Sequence, residues 1–332
     1  MRTIFFLLFA FFFIAVELTA QSVPVFVYHR FGDDRYPATN ISLDVFEAHL
    51  AYLAENDFSA LTLSDALSKM DAGNLPEKPV VLTVDDGYLT FYENAMPLLK
   101  KYDMPATLFV NTAYVGGGDF MNWKQLEEAR KAGVEIGNHS HNHPHFLNEE
   151  APLKLFEQDV EKAQRLFEAH LNFRPALFSY PYGEYNADLQ KKAKAMGFEA
   201  ATAQRSGVMY KQGKRYAIPR FPMGGPFASL SSFKDKADML GLPLEVLSPE
   251  STTDTAASVF RFRTDSNVVS GTLQCFINGK KTALEEKESS WQAEIPSLKQ
   301  RRTLITVTGQ IKNTGKYGWS SFVLINTDYG EP

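Results

Sequence analysis

The sequence predicts an α/β chain: a barrel of alternating strands and helices, then a small all-β, sandwich-like domain. Three observations predict it. Short, nearly all-apolar strand segments alternate with amphipathic helical ones over residues 21–249, the pattern of parallel strands covered on both faces. Polar clusters follow the C-terminal ends of these strands: Tyr28-His29, Asp85-Asp86, Asn138 to His143, Tyr180 to Gly183, and Arg220. Barrels gather their chemistry at that edge from several strands, whereas an open sheet uses mainly one crevice. Beyond residue 249 the helical periodicity stops and only short strand-like segments remain.

The chain starts with a short basic stretch, Met1-Arg2-Thr3, and residues 5–16 read FFLLFAFFFIAV before a small-residue exit at Thr19-Ala20. That apolar run is short of the about 20 residues a membrane-spanning helix needs. Residues 1–20 therefore read as a secretory signal peptide, the alternative being an uncleaved N-terminal anchor. The expectation is a secreted or periplasmic protein with no stable membrane insertion after cleavage.

The first strand is VPVFVYH at 23–29, followed by a helix from Leu43 to Asn56 with Leu43, Phe46, Leu50 and Leu53 on one face. PVVLTV at 79–84 is the second strand and runs into Asp85-Asp86-Gly87. In the next helix, from about Thr90 to Lys101, Pro97 must force a kink or an early end. ATLFV at 106–110 is the third strand, and Gly133 closes a helix over Met121 to Ala132. VEIGNHS at 134–140 is the fourth strand, and Glu150 to His170 is a long amphipathic helix. ALFSYP at 176–181 is the fifth strand, Asn186 to Met196 a helix ended by Gly197, and FEAATA at 198–203 the sixth strand. YAIPRFP at 216–222 is the expected seventh. The run SPESTTDTAA reads as a linker, so the β-sandwich-like accessory domain is placed at 250–332, with turns at Asn278-Gly279 and Thr314-Gly315.

Composition narrows the function classes. An apolar fraction of 44% with 22% charged residues excludes a disordered chain. The single Cys275 excludes a disulfide or cysteine-zinc framework and reads as a strand core residue. A net charge of -5 gives no support to nucleic-acid binding. The tail from 251 onward carries +2 and the rest -7, too weak a split to argue for a charged ligand. No GxxxxGK[ST] phosphate loop occurs.

The segment NHSHNHPH at 138–145 holds four of the seven histidines. If it turns helically, His139 and His143 share a face, and imidazoles at that spacing suit a divalent metal. A carboxylate from another strand end would complete the set, leaving positions open for water and substrate. His141 and His145 read equally well as residues that shape the loop. Asp85-Asp86 at a strand end is a pair of adjacent like charges that needs a cation or donors. Neighbouring side chains of a strand diverge, so one carboxylate can bind metal while the other faces the water. By itself, DDG is as compatible with a plain Asx-turn.

Together, TVDDGY, NHSHNHPH and SYPYG resemble the first three motifs of the polysaccharide deacetylases with a NodB-type domain. With PVFVYH the likeness spans residues 23–225 and is fuller for the secreted branch that acts on poly-N-acetylglucosamine and related polymers. The resemblance implies a distorted (β/α)7-type barrel and metal-dependent removal of N-acetyl groups from a glycan polymer. It implies that Asp85 is the catalytic base and that Asp86, His139 and His143 hold the metal, commonly Zn2+, although other divalent ions serve. The Tyr182 backbone N–H is then expected to help hold the oxyanion.

Two departures from the family pattern stand out. Many members keep an acid-providing histidine late in the catalytic domain, whereas this chain has none after His170; the early-YH branch looks permuted, and His29 fills that role. Tyr180 stands where the third motif often has arginine, and Arg220 is the replacement expected to orient Asp85, with Arg174 weaker because it precedes its strand. Tyr88, Phe120, Trp123, Tyr182 and Phe221 are candidates to stack on sugars, and Trp291 and Trp319 for either glycan contact or core packing. The expected partner is an acetylated glycan polymer, with poly-β-1,6-N-acetylglucosamine as the leading candidate. Peptidoglycan and chitin-like oligomers require the same chemistry, and a noncatalytic carbohydrate-binding protein would bind without releasing acetate.

Overall fold

The computed structural model describes residues 21–330; the stretch read as a signal peptide lies outside the described residues. Six parallel strands form the barrel wall: β1 (Ser22–Tyr28), β2 (Pro79–Val84), β3 (Thr107–Val110), β4 (Glu135–Asn138), β5 (Leu177–Ser179) and β6 (Ala200–Thr202). They pair in sequence order. Every residue of β1 and β2 is buried, as expected of strands with the core on one side and helices on the other.

The seventh strand is much shorter than its sequence suggests. Within 216–222 only Phe221–Pro222 pairs with β1, at Phe26 and Val27, and Ile218 makes a single bridge to Thr202. Pro219 and Pro222 have no N–H to give to a ladder, so this side of the ring stays thin. An antiparallel strand, Val208–Tyr210, pairs with the start of β1 and makes the sheet mixed. The barrel is distorted at that seam.

The helical faces follow the apolar spacing. Phe46, Leu50 and Leu53 of Leu43–Glu55 are buried, and His49 joins them. Pro97 causes no mid-helix kink: a π-helical turn over Phe91–Ala95 hands over to Met96–Lys101, where Pro97 sits in the first turn and needs no N–H partner. Asn122 and Gln125 form a capping box that starts the next helix at Trp123 rather than Met121. Leu63–Ala72 and Leu230–Ala237 are helices that periodicity alone did not single out. No helix of the described residues is long and apolar enough to cross a membrane.

The β-rich part consists of two sheets. One contains Leu240–Gly241, Gln274–Ile277, Lys280–Thr282, Arg302–Gln310 and Tyr317–Ile325. The other contains Leu244–Ser248, Val259–Thr264, Glu285–Lys287 and Ser290–Glu294. Leu244–Ser248 pairs antiparallel with Val259–Thr264, so a boundary at 250 falls between two hydrogen-bonded strands. The polar run after Ser248 is therefore a connection within a sheet; its turn-rich composition looks the same in either setting. Cys275 is fully buried in the sandwich core with Phe260, Ile305 and Leu324, and burial pushes its thiol up to about 11. Barrel and sandwich share apolar contacts. Val323 and Ile325 pack in one cluster with Phe178 and Tyr180, and Trp319 meets Phe221 edge-on at 5.5 Å.

Candidate active site

The C-terminal ends of β1, β2, β3, β4 and β5 and the segment after β6 converge on one cleft of about 480 Å³. Asp85 and Asp86 leave β2 as the chain turns: the Asp85 N–H still donates to the Tyr28 carbonyl at 2.9 Å, and Asp86 then enters the left-handed region at φ 76. Asp tolerates that region better than most L-residues. The turn separates the two carboxylates, giving each its own partners.

Asp85 faces Arg220. The Arg220 Nη1 and Nη2 atoms each donate to one Asp85 oxygen at 2.7 Å. Nη1 also donates to Thr83 Oγ1, Nη2 to Ser179 Oγ and Nε to the Ala203 carbonyl. Arg220 is 1% exposed, so this full set of acceptors is what offsets its desolvation. Burial pushes the Asp85 pKa up, but the Arg220 charge and the neighbouring histidines outweigh it and hold the carboxyl below its ordinary value. The other arginine considered, Arg174, pairs with Glu161 and Glu168 on the surface.

Asp86 faces the histidines. His139 Nε2 lies 3.4 Å and His143 Nε2 3.7 Å from Asp86 Oδ1, and the two Nε2 atoms are 3.1 Å apart. The segment that carries them is not helical. Ser140 and His143 take left-handed conformations at φ 70 and 54, and Asp159 anchors the loop by accepting from the His141 and Asn142 backbone N–H groups. His139 Nδ1 is 2.8 Å from the Ser179 carbonyl, which can only accept, so Nδ1 carries a proton and Nε2 is the nitrogen turned toward Asp86. Burial and the nearby His139 push the His143 pKa down to about 4, which keeps that imidazole neutral. Burial alone would lower the His139 pKa too, but Asp85 and Asp86 pull it above its usual value; the two carboxylates make the field at this point favourable to a cation. The ligand atoms of Asp86, His139 and His143 lie within 4.8 Å of one another. Two imidazoles and a carboxylate with a fixed tautomer fit a divalent metal, with cleft space left for further ligands.

His29 and Tyr182 line the same cleft. The Tyr182 ring lies flat on His145, with centroids 3.5 Å apart, and meets His143 edge-on at 4.5 Å. Of the aromatic candidates, Tyr88, Phe120 and Tyr182 line the cleft. Phe221 is buried in the barrel core and Trp123 stacks on His170. His141 bonds Thr112, while His145 bonds Glu184. Sequence reasoning missed Asn111, Tyr114 and Gln204 as cleft residues. Asn111 directly follows β3, so the strand-end rule applied to that strand would have found it. Its Oδ1 is buried without a hydrogen-bond partner among the described residues, an acceptor available to a ligand.

Residues 72–201 match the family model described as polysaccharide deacetylase. The chain carries a NodB-type polysaccharide deacetylase domain. Together with the Asp86, His139 and His143 triad, this domain supports a metal-dependent hydrolase acting on an acetylated glycan. The matched stretch of the deacetylase domain contains Asp85, Asp86, His139, His143 and Tyr182; His29 and Arg220 lie outside it and reach the same cleft through the fold. The chain is 29% identical over 199 residues to a putative polysaccharide deacetylase, YxkH, of Bacillus subtilis (strain 168), covering 60% of this chain and 70% of that one. It is 29% identical over 208 residues to a poly-beta-1,6-N-acetyl-D-glucosamine N-deacetylase of Staphylococcus aureus (strain MRSA252), covering 59% and 71%. Among solved structures, IcaB from Ammonifex degensii aligns with TM-score 0.58 and 28% identity, over 65% of this chain and 95% of that one. A Streptococcus pyogenes deacetylase, PplD, in complex with acetate shares the fold with TM-score 0.61 at 23% identity, over 66% and 99%.

Proposed function

We propose that this protein removes N-acetyl groups from poly-β-1,6-N-acetylglucosamine outside the cytoplasm, using Zn2+ held by Asp86, His139 and His143. The observation that carries the reading is the buried Asp85 carboxylate, held ionised by Arg220 beside the triad in an open cleft. The polymer assignment is supported by the likeness to the Staphylococcus aureus poly-beta-1,6-N-acetyl-D-glucosamine N-deacetylase. Export is supported by the apolar run at 5–16 with its basic start.

A divalent ion bound at this triad supplies Lewis acidity toward the acetamide oxygen and a lowered pKa for water. Asp85 takes the proton of the attacking water; the Arg220 fork sets the direction of its oxygens. The Tyr182 N–H donates to the oxygen on which charge develops. His29 protonates the sugar nitrogen as the C–N bond breaks, so the amine leaves and acetate remains. Tyr88, Phe120 and Tyr182 offer ring faces to the sugar.

The test is acetate release from poly-β-1,6-N-acetylglucosamine, chitin oligomers and peptidoglycan, each with and without chelator. Chelator-sensitive release that is fastest on the β-1,6 polymer is the expected result. Preference for another glycan replaces the substrate but keeps the chemistry, whereas no chelator-sensitive release from any of them overturns the reading.

A further inference from the structure

Two adjacent arginines of the β-sandwich reach across the junction to the cleft. Arg301, buried, bonds Glu184 through Nε and Nη2, each at 2.6 Å, and Asn148 Oδ1 at 3.0 Å. Glu184 in turn meets His145 Nδ1 at 3.2 Å, and the His145 ring is the one lying on Tyr182 at 3.5 Å and 9°. Arg302 donates to the carbonyls of Tyr182 and Gln204 and to Gln204 Oε1. One arginine thus braces the Tyr182 ring through Glu184 and His145, and the other holds its backbone.

The braced segment needs such support. Tyr182 sits at φ 56, ψ 6, a left-handed conformation that an L-residue keeps only when its surroundings over-determine it. Gly183 follows at φ 65 and approaches Gln204 so closely that a Cβ would lie 2.0 Å from the Gln204 nitrogen. Arg302 therefore ties together both sides of that contact, and both Tyr182 and Gln204 line the cleft.

We propose that Arg301 and Arg302 are positioning residues for deacetylation: they hold the Tyr182 turn in its left-handed form, and the β-domain thereby completes the catalytic cleft. This rests on the reading that the Tyr182 amide receives the developing oxyanion. A donor shifted from that direction loses its hold on the transition state more than its hold on the substrate. The effect belongs in kcat.

The test uses the full chain with Arg302→Met, Arg302→Lys and the paired change Arg301→Met with Glu184→Gln, which removes both buried charges together. Turnover is measured per bound metal, alongside amide hydrogen exchange at Tyr182 and Gly183. Arg302→Met is expected to lower kcat at least about tenfold with KM nearly unchanged, and to speed exchange at both amides by about tenfold. Arg302→Lys keeps the charge without the fork and should fall between. The paired change should also lower kcat and speed exchange. If Arg302→Met fails to fold, Arg302→Lys and the paired change decide. Variants within about twofold of wild type in both kcat and exchange overturn the proposal. Wild-type protein that releases no acetate from any glycan overturns the functional reading instead, and exchange alone then decides the positioning role.

Discussion

Arg220 holds Asp85 by both guanidinium nitrogens, at 2.7 Å to each carboxylate oxygen, across 135 residues of chain. The pair joins the turn after β2 to the seam where the barrel is thinnest. One contact thus ties that seam to the end of β2 and orients the proposed base.

Arg220→Met leaves an ionised, buried carboxylate without its counter-charge, a change expected to cost about 3–5 kcal/mol of stability. Arg220→Lys keeps the charge but cannot reproduce two parallel bonds. Its kcat is expected to drop at least about tenfold while the fold survives. Urea melts and acetate release check both; a Lys variant with wild-type kcat would show that the fork does not orient Asp85.

The two adjacent aspartates should separate by assay. Asp85→Asn is expected to retain the metal and lose turnover by about a hundredfold or more, the usual range for a general base. Asp86→Asn should lower metal content together with turnover. Metal analysis of each purified variant beside its acetate-release rate reads the difference. Loss of metal from both variants alike would contradict the split seen at φ 76 of Asp86.

The legible part of this site is the part written locally. Asp85, Asp86, His139, His143 and Tyr182 lie in short motifs at strand ends, and the all-apolar strands announce those ends. Arg220 was reachable because it follows a strand-like run, although Pro219 and Pro222 leave most of that run without a ladder. The Asp159 anchor of the histidine loop was not legible, because a carboxylate on a helix gives no sign that it will face a loop 17 residues earlier. Arg301 and Arg302 were invisible for a stronger reason. Their role depends on how two domains dock, and nothing in a turn-rich run after Ser248 says that strands on both sides of it share a sheet. The helix Leu63–Ala72 was signalled by its Thr62 cap and by Gly73 at φ 72, and only periodicity-first reading passed over it.

His49 predicts a pH dependence of stability. It is fully buried, stacked on Phe233 at 4.0 Å, and bonded to Tyr28 Oη and the Ala228 carbonyl. Burial and the nearby Lys236 charge, against the Ala228 carbonyl, push its pKa down to about 4. Below about pH 6.5 the unfolded chain binds a proton at this position that the folded chain does not, so stability falls with pH until about 4. The loss from this residue approaches roughly 3 kcal/mol across that window. Denaturation midpoints between pH 7 and 4 should fall less steeply in His49→Gln than in wild type, and equal slopes would refute the assignment.

Removing residues 250–332 should not yield a free-standing barrel. The cut takes Val323 and Ile325 out of the cluster that holds Phe178 and Tyr180, and takes Trp319 off Phe221. Each fully buried aliphatic side chain of this kind contributes about 1.5–3 kcal/mol. It also strips Arg301 from Glu184, which keeps His145 as a partner but loses its bidentate guanidinium. Those losses together reach into the roughly 5–15 kcal/mol by which a domain is ordinarily stable. The strand Leu244–Ser248 would in addition lose its partner Val259–Thr264 and expose an open edge. The truncated chain is therefore expected to aggregate or to lose its cooperative thermal transition, with no acetate release. Circular dichroism and gel filtration read this directly: a monomeric truncated barrel melting within a few degrees of the full chain would mean that the sandwich is a detachable module.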